Sequence, residues 1–141
     1  MSFRLDYEEQ IPEVVERLLE EHQEIHLKIE RIVAEASKGN LPVAISLLNL
    51  IKPQILRHAV EEEARIVRVI ADKAKPELER NANVMRHHRR IEEFMQDRLP
   101  HFGDMPPDRV RAEIEDFAAE LEKHHKEEEK ISFPSAMKVA N

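Results

Sequence analysis

Residues 110–132 read VRAEIEDFAAELEKHHKEEEKIS, and one face of this stretch decides the fold. Val110, Ile114, Phe117, Leu121, His124, Glu128 and Ile131 succeed one another at steps of three or four. That is the period of a helix with one buried side. The stripe is apolar as far as Leu121 and then turns polar without changing period. A second stretch behaves alike: Ile51, Ile55, His58, Glu62, Ile66 and Val69 share one stripe, around RHAVEEEARI at 57–66. Each stretch places His-x-x-x-Glu inside a run of three glutamates.

Turn signals bound these helices. Gly39 in SKGN (37–40) marks one helix end, KAKP (73–76) a second break, and LPHFGDMPP (99–107) a third. Pro106 and Pro107 suit the first turn of a new helix. Helix one is expected from about Ile11 to Ser37, with Val15, Leu18, His22, Ile25, Ile29 and Ile32 on its stripe. Helix two is expected from about Pro42 to Lys73, with Pro53 kinking it or removing one hydrogen bond. Helix three begins between Pro76 and Asn83 and carries Val84, His88, Ile91 and Met95, and Phe133-Pro134 ends or bends helix four. Short connections make neighbours antiparallel, so the expected fold is all-α, an up-down-up-down four-helix bundle. It spans about 11–136, behind an N-terminal arm of residues 1–10, in a single domain of 1–141.

The polar positions repeat. His88 lies 66 positions after His22, His124 lies 66 after His58, and Glu128 lies 66 after Glu62. The chain reads as two copies of a helical hairpin. His22 and His58 are equidistant from the first turn, His58 and His88 from the second, and His88 and His124 from the third. In antiparallel hairpins this puts all four imidazoles in one layer, with both glutamates one turn away, about 6 Å, on the same faces.

Composition narrows the chemistry. The 141 residues include 36% charged residues, two glycines and no cysteine. This favours long helices and excludes disulfides and thiolate metal sites. The net charge of −7 argues against a general nucleic-acid binder, and RHHRR (86–90) reads as a solvated basic patch. No apolar run suits a membrane span and the first residues lack a signal-peptide pattern, so a cytoplasmic location is expected.

Six polar groups in one core layer demand an account. Each buried polar group without a partner costs roughly 1–3 kcal/mol, against the roughly 5–15 kcal/mol that holds a domain together. A closed hydrogen-bond network offsets part of that cost; bound cations offset it more fully, with imidazole and carboxylate as ligands. Six ligands exceed the needs of one tetrahedral zinc and suit two ions sharing bridging carboxylates. Nitrogen and oxygen donors without sulfur fit non-haem iron or manganese.

The stretches LLEEHQEI (18–25), RHAVEEE (57–63), VMRHHRRI (84–91) and KHHKEEEKISFP (123–134) resemble the four helix motifs of the hemerythrin, or HHE cation-binding, family. The resemblance covers about 11–136. It implies an oxo- or hydroxo-bridged di-iron centre, with manganese or zinc as substitutes. By position, the ligands it implies are His22, His58, Glu62, His88, His124 and Glu128, with Glu62 and Glu128 bridging. Family members bind O2 or NO, act in iron-centre repair, or sense oxygen or iron.

Oxygen-carrying members have a second His one turn away on helix three, where this chain has Val84 and Glu92. His26, four after His22, is the spare imidazole instead, and Glu92 is its repeat partner; both are additional candidates. This departure shifts the expectation toward repair or sensing. His87 and His125 adjoin proposed ligands, and because adjacent helical residues point about 100° apart, each is expected to be solvated or to support its neighbour. Glu61, Glu63, Glu127 and Glu129 read as solvated, with Glu61 and Glu127 near enough to be spare ligands, while His101 lies in a turn. Tyr7 would reach the site only from the arm.

Three functions suit such a centre: binding or sensing of O2 or NO; an enzyme or repair protein turning over peroxide or NO, or donating iron; and metal storage or buffering. A bundle this small has no mineral cavity, which ranks storage last. With no output domain in the sequence, a sensor is expected to work through a protein partner.

Overall fold

The computed structural model describes residues 8–73 and 82–140. Tyr7 and the start of helix three before Ala82 lie outside the described residues.

Four helices pack as an antiparallel bundle. Helix α1 is Ile11–Ser37. Helix α2 is Leu41–Glu62, continued through a π-helical turn, Glu63–Val67, into Arg68–Lys73. Helix α3 is Ala82–Glu93, extended by a second π turn, Phe94–Arg98. Helix α4 is Pro107–Glu127, continued through a third π turn, Glu128–Ser132, into Phe133–Ala140.

The turns use the chemistry expected of them. Gly39 has φ 86°, a left-handed conformation that only glycine adopts cheaply. The Asn40 amide donates to the Glu35 carbonyl at 2.9 Å and the Gly39 amide to Ala36 at 3.1 Å, a Schellman end to α1. A 3-10 segment, Leu99–Asp104, leads to Pro106 in extended conformation and Pro107 at the first helical position of α4. Pro53 is exposed, and the helix runs through it. Since proline has no N–H, the Asn49 carbonyl forgoes its usual donor there.

The π turns depart from the expected regular stripes. Each holds one residue more than an α-helical turn and rotates the residues beyond it by about 100°. Ile70 rather than Val69 is therefore buried beyond the first, and Ser132 and Phe133 rather than Ile131 within and beyond the third. Phe133-Pro134 does not end α4. The Leu99 amide donates to Phe94 and the Phe133 amide to Glu128, five residues back, and in both cases a proline comes next. A proline cannot donate to the carbonyl four residues back, and its ring crowds that carbonyl. The wider turn accommodates Pro100 and Pro134 without breaking the chain's path.

The core has two parts. The larger apolar cluster runs from Ile25 to Ala36 on α1 and includes Leu48, Ile55, Ile91, Met95, Phe102, Ile114 and Leu121. Within it Phe94 stacks on Phe117, with ring centres 3.9 Å apart. The smaller cluster joins Val14, Val15 and Leu18 of α1 to Ile66, Ile70, Phe133 and Ala136. Between the two clusters along the helices lie the His and Glu residues.

Candidate metal centre

The regular helical faces of α1 to α4 carry His22, His58, His88 and His124 into the interior, each no more than 3% exposed. Glu62 and Glu128 come one turn after their histidines and are 1% exposed. His58 Nε2 lies 2.7 Å from Glu62 Oε1, and the repeat-related His124 Nε2 lies 3.0 Å from Glu128 Oε1. The cross-hairpin distances are longer: His22 Nε2 to Glu128 Oε1 is 3.4 Å, His88 Nε2 to Glu128 Oε2 is 3.4 Å, and His88 Nε2 to Glu62 Oε1 is 3.9 Å.

Ligand-type atoms gather into two groups, His22, His58, His125 and Glu128, and Glu62, His88, His124 and Glu128. Within each group they lie within 4.8 Å of one another, and Glu128 belongs to both. Few of these atoms have other work. Both ring nitrogens of His22 and His124, Nε2 of His58 and of His88, Glu62 Oε2 and Glu128 Oε1 are buried without a hydrogen-bond partner. The 2.7 Å approach of His58 Nε2 to Glu62 is thus an ion-pair contact at an angle that does not make a hydrogen bond. Buried polar atoms are otherwise almost always satisfied. The unsatisfied nitrogens and oxygens converge, with no sulfur among them, and this donor set suits a dinuclear metal site.

The outer nitrogens of two imidazoles are held by carboxylates that the sequence reading overlooked or placed in solvent. His58 Nδ1 lies 2.8 Å from Glu21 Oε2, and His88 Nδ1 lies 3.2 Å from Glu63 Oε1. An ionised carboxylate only accepts, so Nδ1 carries the proton and Nε2 faces the centre, the arrangement that orients metal-binding imidazoles. The pseudo-symmetry extends to this layer, for Glu129 Oε1 stands 3.7 Å from His22 Nδ1 as Glu63 stands by His88. The signal for Glu63 was in the sequence, because Glu63 and Glu129 are 66 positions apart. The counterpart of Glu21 is His87, so the repeat alone did not mark it.

The electrostatics derive from burial. Burial pushes the His22 and His124 imidazoles far below the ordinary range, with neighbouring imidazoles adding to the effect. His125 is lowered to about 3, first by burial and then by His58. Burial also opposes a charge on His58, but the Glu62 carboxylate and the Glu21 hydrogen bond outweigh it and raise the pKa to about 9. The hydrogen bond from His88 holds Glu63 below its usual value.

Several residues differ from the sequence expectation. His125 is buried, 8% exposed, together with His124. The two side chains do diverge, but α1 covers the second direction, and the His125 ring stacks on His22 at 3.8 Å with an interplanar angle of 11°. Phe133 contacts the His22 ring from 5.4 Å. Glu61 is buried rather than solvated, because Arg17 Nη2 donates to its Oε2 at 2.8 Å and to Glu9 Oε1 at 2.7 Å. Glu63 is partly covered through its bond to His88. His87 is half-buried with Nδ1 3.3 Å from Glu127, and His101 is exposed. His26 and Glu92 stand outside both groups; His26 is exposed and lies 3.0 Å from Glu30.

A four-helix bundle with two buried His/Glu groups matches the architecture of the hemerythrin, or HHE, di-iron site. The fold and the site are hemerythrin-like, and the two groups have the composition of an HHE-type metal site. Comparison of the chain with protein-family models, with curated proteins and with solved structures finds no match. Among the described residues, no helix is long and apolar enough to cross a membrane.

Proposed function

We propose that the chain is a non-haem di-iron protein of hemerythrin type that binds or senses O2 or NO. One observation carries the reading: Glu128 offers one oxygen to His22 and the other to His88, both at 3.4 Å. A carboxylate shared between imidazoles from opposite hairpins is the geometry a bridging ligand needs. In this reading His22 and His58 would hold one ion and His88 and His124 the other, with Glu62 and Glu128 as the carboxylates available to both. The iron pair, when bound, supplies the redox-active centre for a diatomic ligand.

The chain's own residues do the rest. Glu21 and Glu63 fix the tautomer and aim of His58 and His88. His58 gives up its Nε2 proton when it serves as a ligand. The apolar clusters close the layer at both of its ends along the helices. Elemental analysis of aerobically purified, iron-replete protein tests the assignment, together with stopped-flow spectroscopy of the reduced form against O2, NO and peroxide. Two irons per chain and a stable, reversible O2 or NO spectrum are expected. One zinc per chain, with no iron charge-transfer absorption after reconstitution, would sink it.

A second reading, an enzyme or repair protein that turns over peroxide or NO or donates iron, is favoured by a different observation. A cavity of about 170 Å³ on the protein surface reaches His22 and His125, so the centre is accessible from one side. Consumption of peroxide or NO over many cycles would decide for it.

A further inference from the structure

The cavity between α1 and α4 has a gradient of ligands from its mouth to its floor. At the mouth are His26, whose side chain is 46% exposed, and Glu122, Glu129 and Lys126. At the floor are His22 and His125, both buried. Neither ring nitrogen of His22 has a hydrogen-bond partner, and one of them, Nδ1, is 3.7 Å from Glu129. An acidic rim alone would mean little, but here it leads to an unsatisfied buried imidazole that belongs to the metal-ligand group.

His125 occupies an unusual position in that path. A metal ion lies near the plane of an imidazole that binds it, along the lone pair of the ring nitrogen. The His22 and His125 planes are within 11° of parallel and their centres are 3.8 Å apart, so one ion cannot lie in both planes. The two rings therefore suit successive use by an ion rather than joint use. His125 is also where the two hairpins differ, since its repeat counterpart is the buried Ala59, which offers no ligand.

We propose that this cavity is the route by which divalent metal ions reach and leave the buried centre, with His125 as the hand-over ligand between the rim and His22. The inference rests on the metal-centre reading. The rim concentrates the cation, His125 takes it from water-exposed ligands, and His22, His58 and Glu128 receive it. Lys126 opposes this, being 3.0 Å from Glu122 and neutralising part of the rim.

The test is the rate of metal exchange. Metal-free protein is mixed anaerobically with Fe(II) in a stopped-flow instrument, and loaded protein is extracted with ferrozine. Removing a rim charge through Glu122→Gln, together with the exposed imidazole through His26→Ala, should slow uptake about tenfold, the low end of electrostatic focusing, with two irons still bound at the end. Lys126→Gln should speed uptake. His125→Phe keeps an aromatic ring on His22 and removes the nitrogens, so uptake and release should slow together at unchanged affinity. The rim residues are exposed, so their variants remain informative if His125→Phe misfolds. Unchanged rates in the rim variants would overturn the route. A His125→Phe protein holding only one iron would make His125 a resident ligand and overturn the hand-over role. A parent protein that takes up no pair of ions would instead overturn the metal centre itself.

Discussion

His22 and His88, on opposite hairpins, lie 3.4 Å from opposite oxygens of one carboxylate, that of Glu128. Glu62, the repeat partner of Glu128, is closer to its own helix's histidine, 2.7 Å from His58, and farther from His88, at 3.9 Å. The pseudo-twofold is thus real but unequal, and Glu128 is the better placed of the two to bridge.

Glu128→Gln should lower the metal content from two ions per chain to one or none, because an amide offers one neutral oxygen where the carboxylate offers two charged ones. Glu127→Gln, one position away and 3.3 Å from His87, should retain both. Elemental analysis of both proteins after identical reconstitution checks this, and equal metal content would refute the bridging role.

Glu21→Gln and Glu63→Gln should each weaken metal affinity by about 10–100-fold, the usual effect of losing a carboxylate that orients a ligand imidazole. Stoichiometry at saturating metal should not change. Competition with a chelator of known affinity reads the difference; parental affinity in both variants would show that His58 and His88 need no such support.

The metal-free protein should lose stability as pH falls from about 6.5 to 5. His22, His124 and His125 are held neutral in the fold by burial, whereas in the unfolded chain they take up protons near pH 6.5. The unfolded state then binds more protons, so stability rises with pH across this window and falls below it. His58, raised to about 9, acts oppositely at higher pH: its contribution is complete below pH 6.5 and is lost as pH rises through 9. Urea midpoints of chelator-treated protein at pH 5, 7 and 9 should therefore peak at the middle value. A midpoint highest at pH 5 would contradict buried neutral imidazoles.

Arg17→Ala should destabilise the fold by about 1–3 kcal/mol, the cost of leaving a buried acceptor without its donor. Arg17 is the cation that joins Glu61 to Glu9, and the nearby Arg65 Nη2 bonds the Glu9 carbonyl at 2.6 Å. Adding Glu61→Gln should recover part of the loss, because the remaining buried group is then uncharged. A double-mutant cycle in urea without coupling between the two positions would remove Glu61 from this account.

Much of the architecture was legible because it depends on period and punctuation. Gly39 ends α1, Pro107 opens α4, and the spacing of Leu18, His22 and Ile25 faces inward as written. The six repeated His and Glu positions were marked by their 66-residue offset, and the structure gathers them in one layer. Features that regular period does not encode escaped. A π turn shifts the stripe by a residue, so Ile131 and Val69 yielded their expected places to Ser132, Phe133 and Ile70. The prolines at 100 and 134 are a usable signal, each coming after a π turn at the same distance, whereas the sequence pattern alone suggests a turn at 99–107 and an end or a bend at Phe133-Pro134. His125 escaped for another reason: a helix in a bundle has neighbours on two sides, and a residue turned from the centre is still covered when it faces α1. Glu61 is buried against Arg17, a partner 44 positions away.

The division of the core by a polar layer has a consequence for how the molecule comes apart. Among the described residues, the smaller cluster, with Val14, Leu18, Ile70 and Phe133, is separate from the larger one, and between them lie buried polar groups, several without a hydrogen-bond partner. If the proposed ions bind, ligands from all four helices would join both ends into one cooperative unit. Without them, the end holding the start of α1 and the close of α4, with the smaller cluster, is expected to open first. Amide hydrogen exchange should then show Val14, Leu18 and Ala136 exchanging well ahead of Ile32, Leu48 and Ile114 in metal-free protein, and the two sets converging once metal is restored. The centre is, in this sense, a rivet between two half-cores.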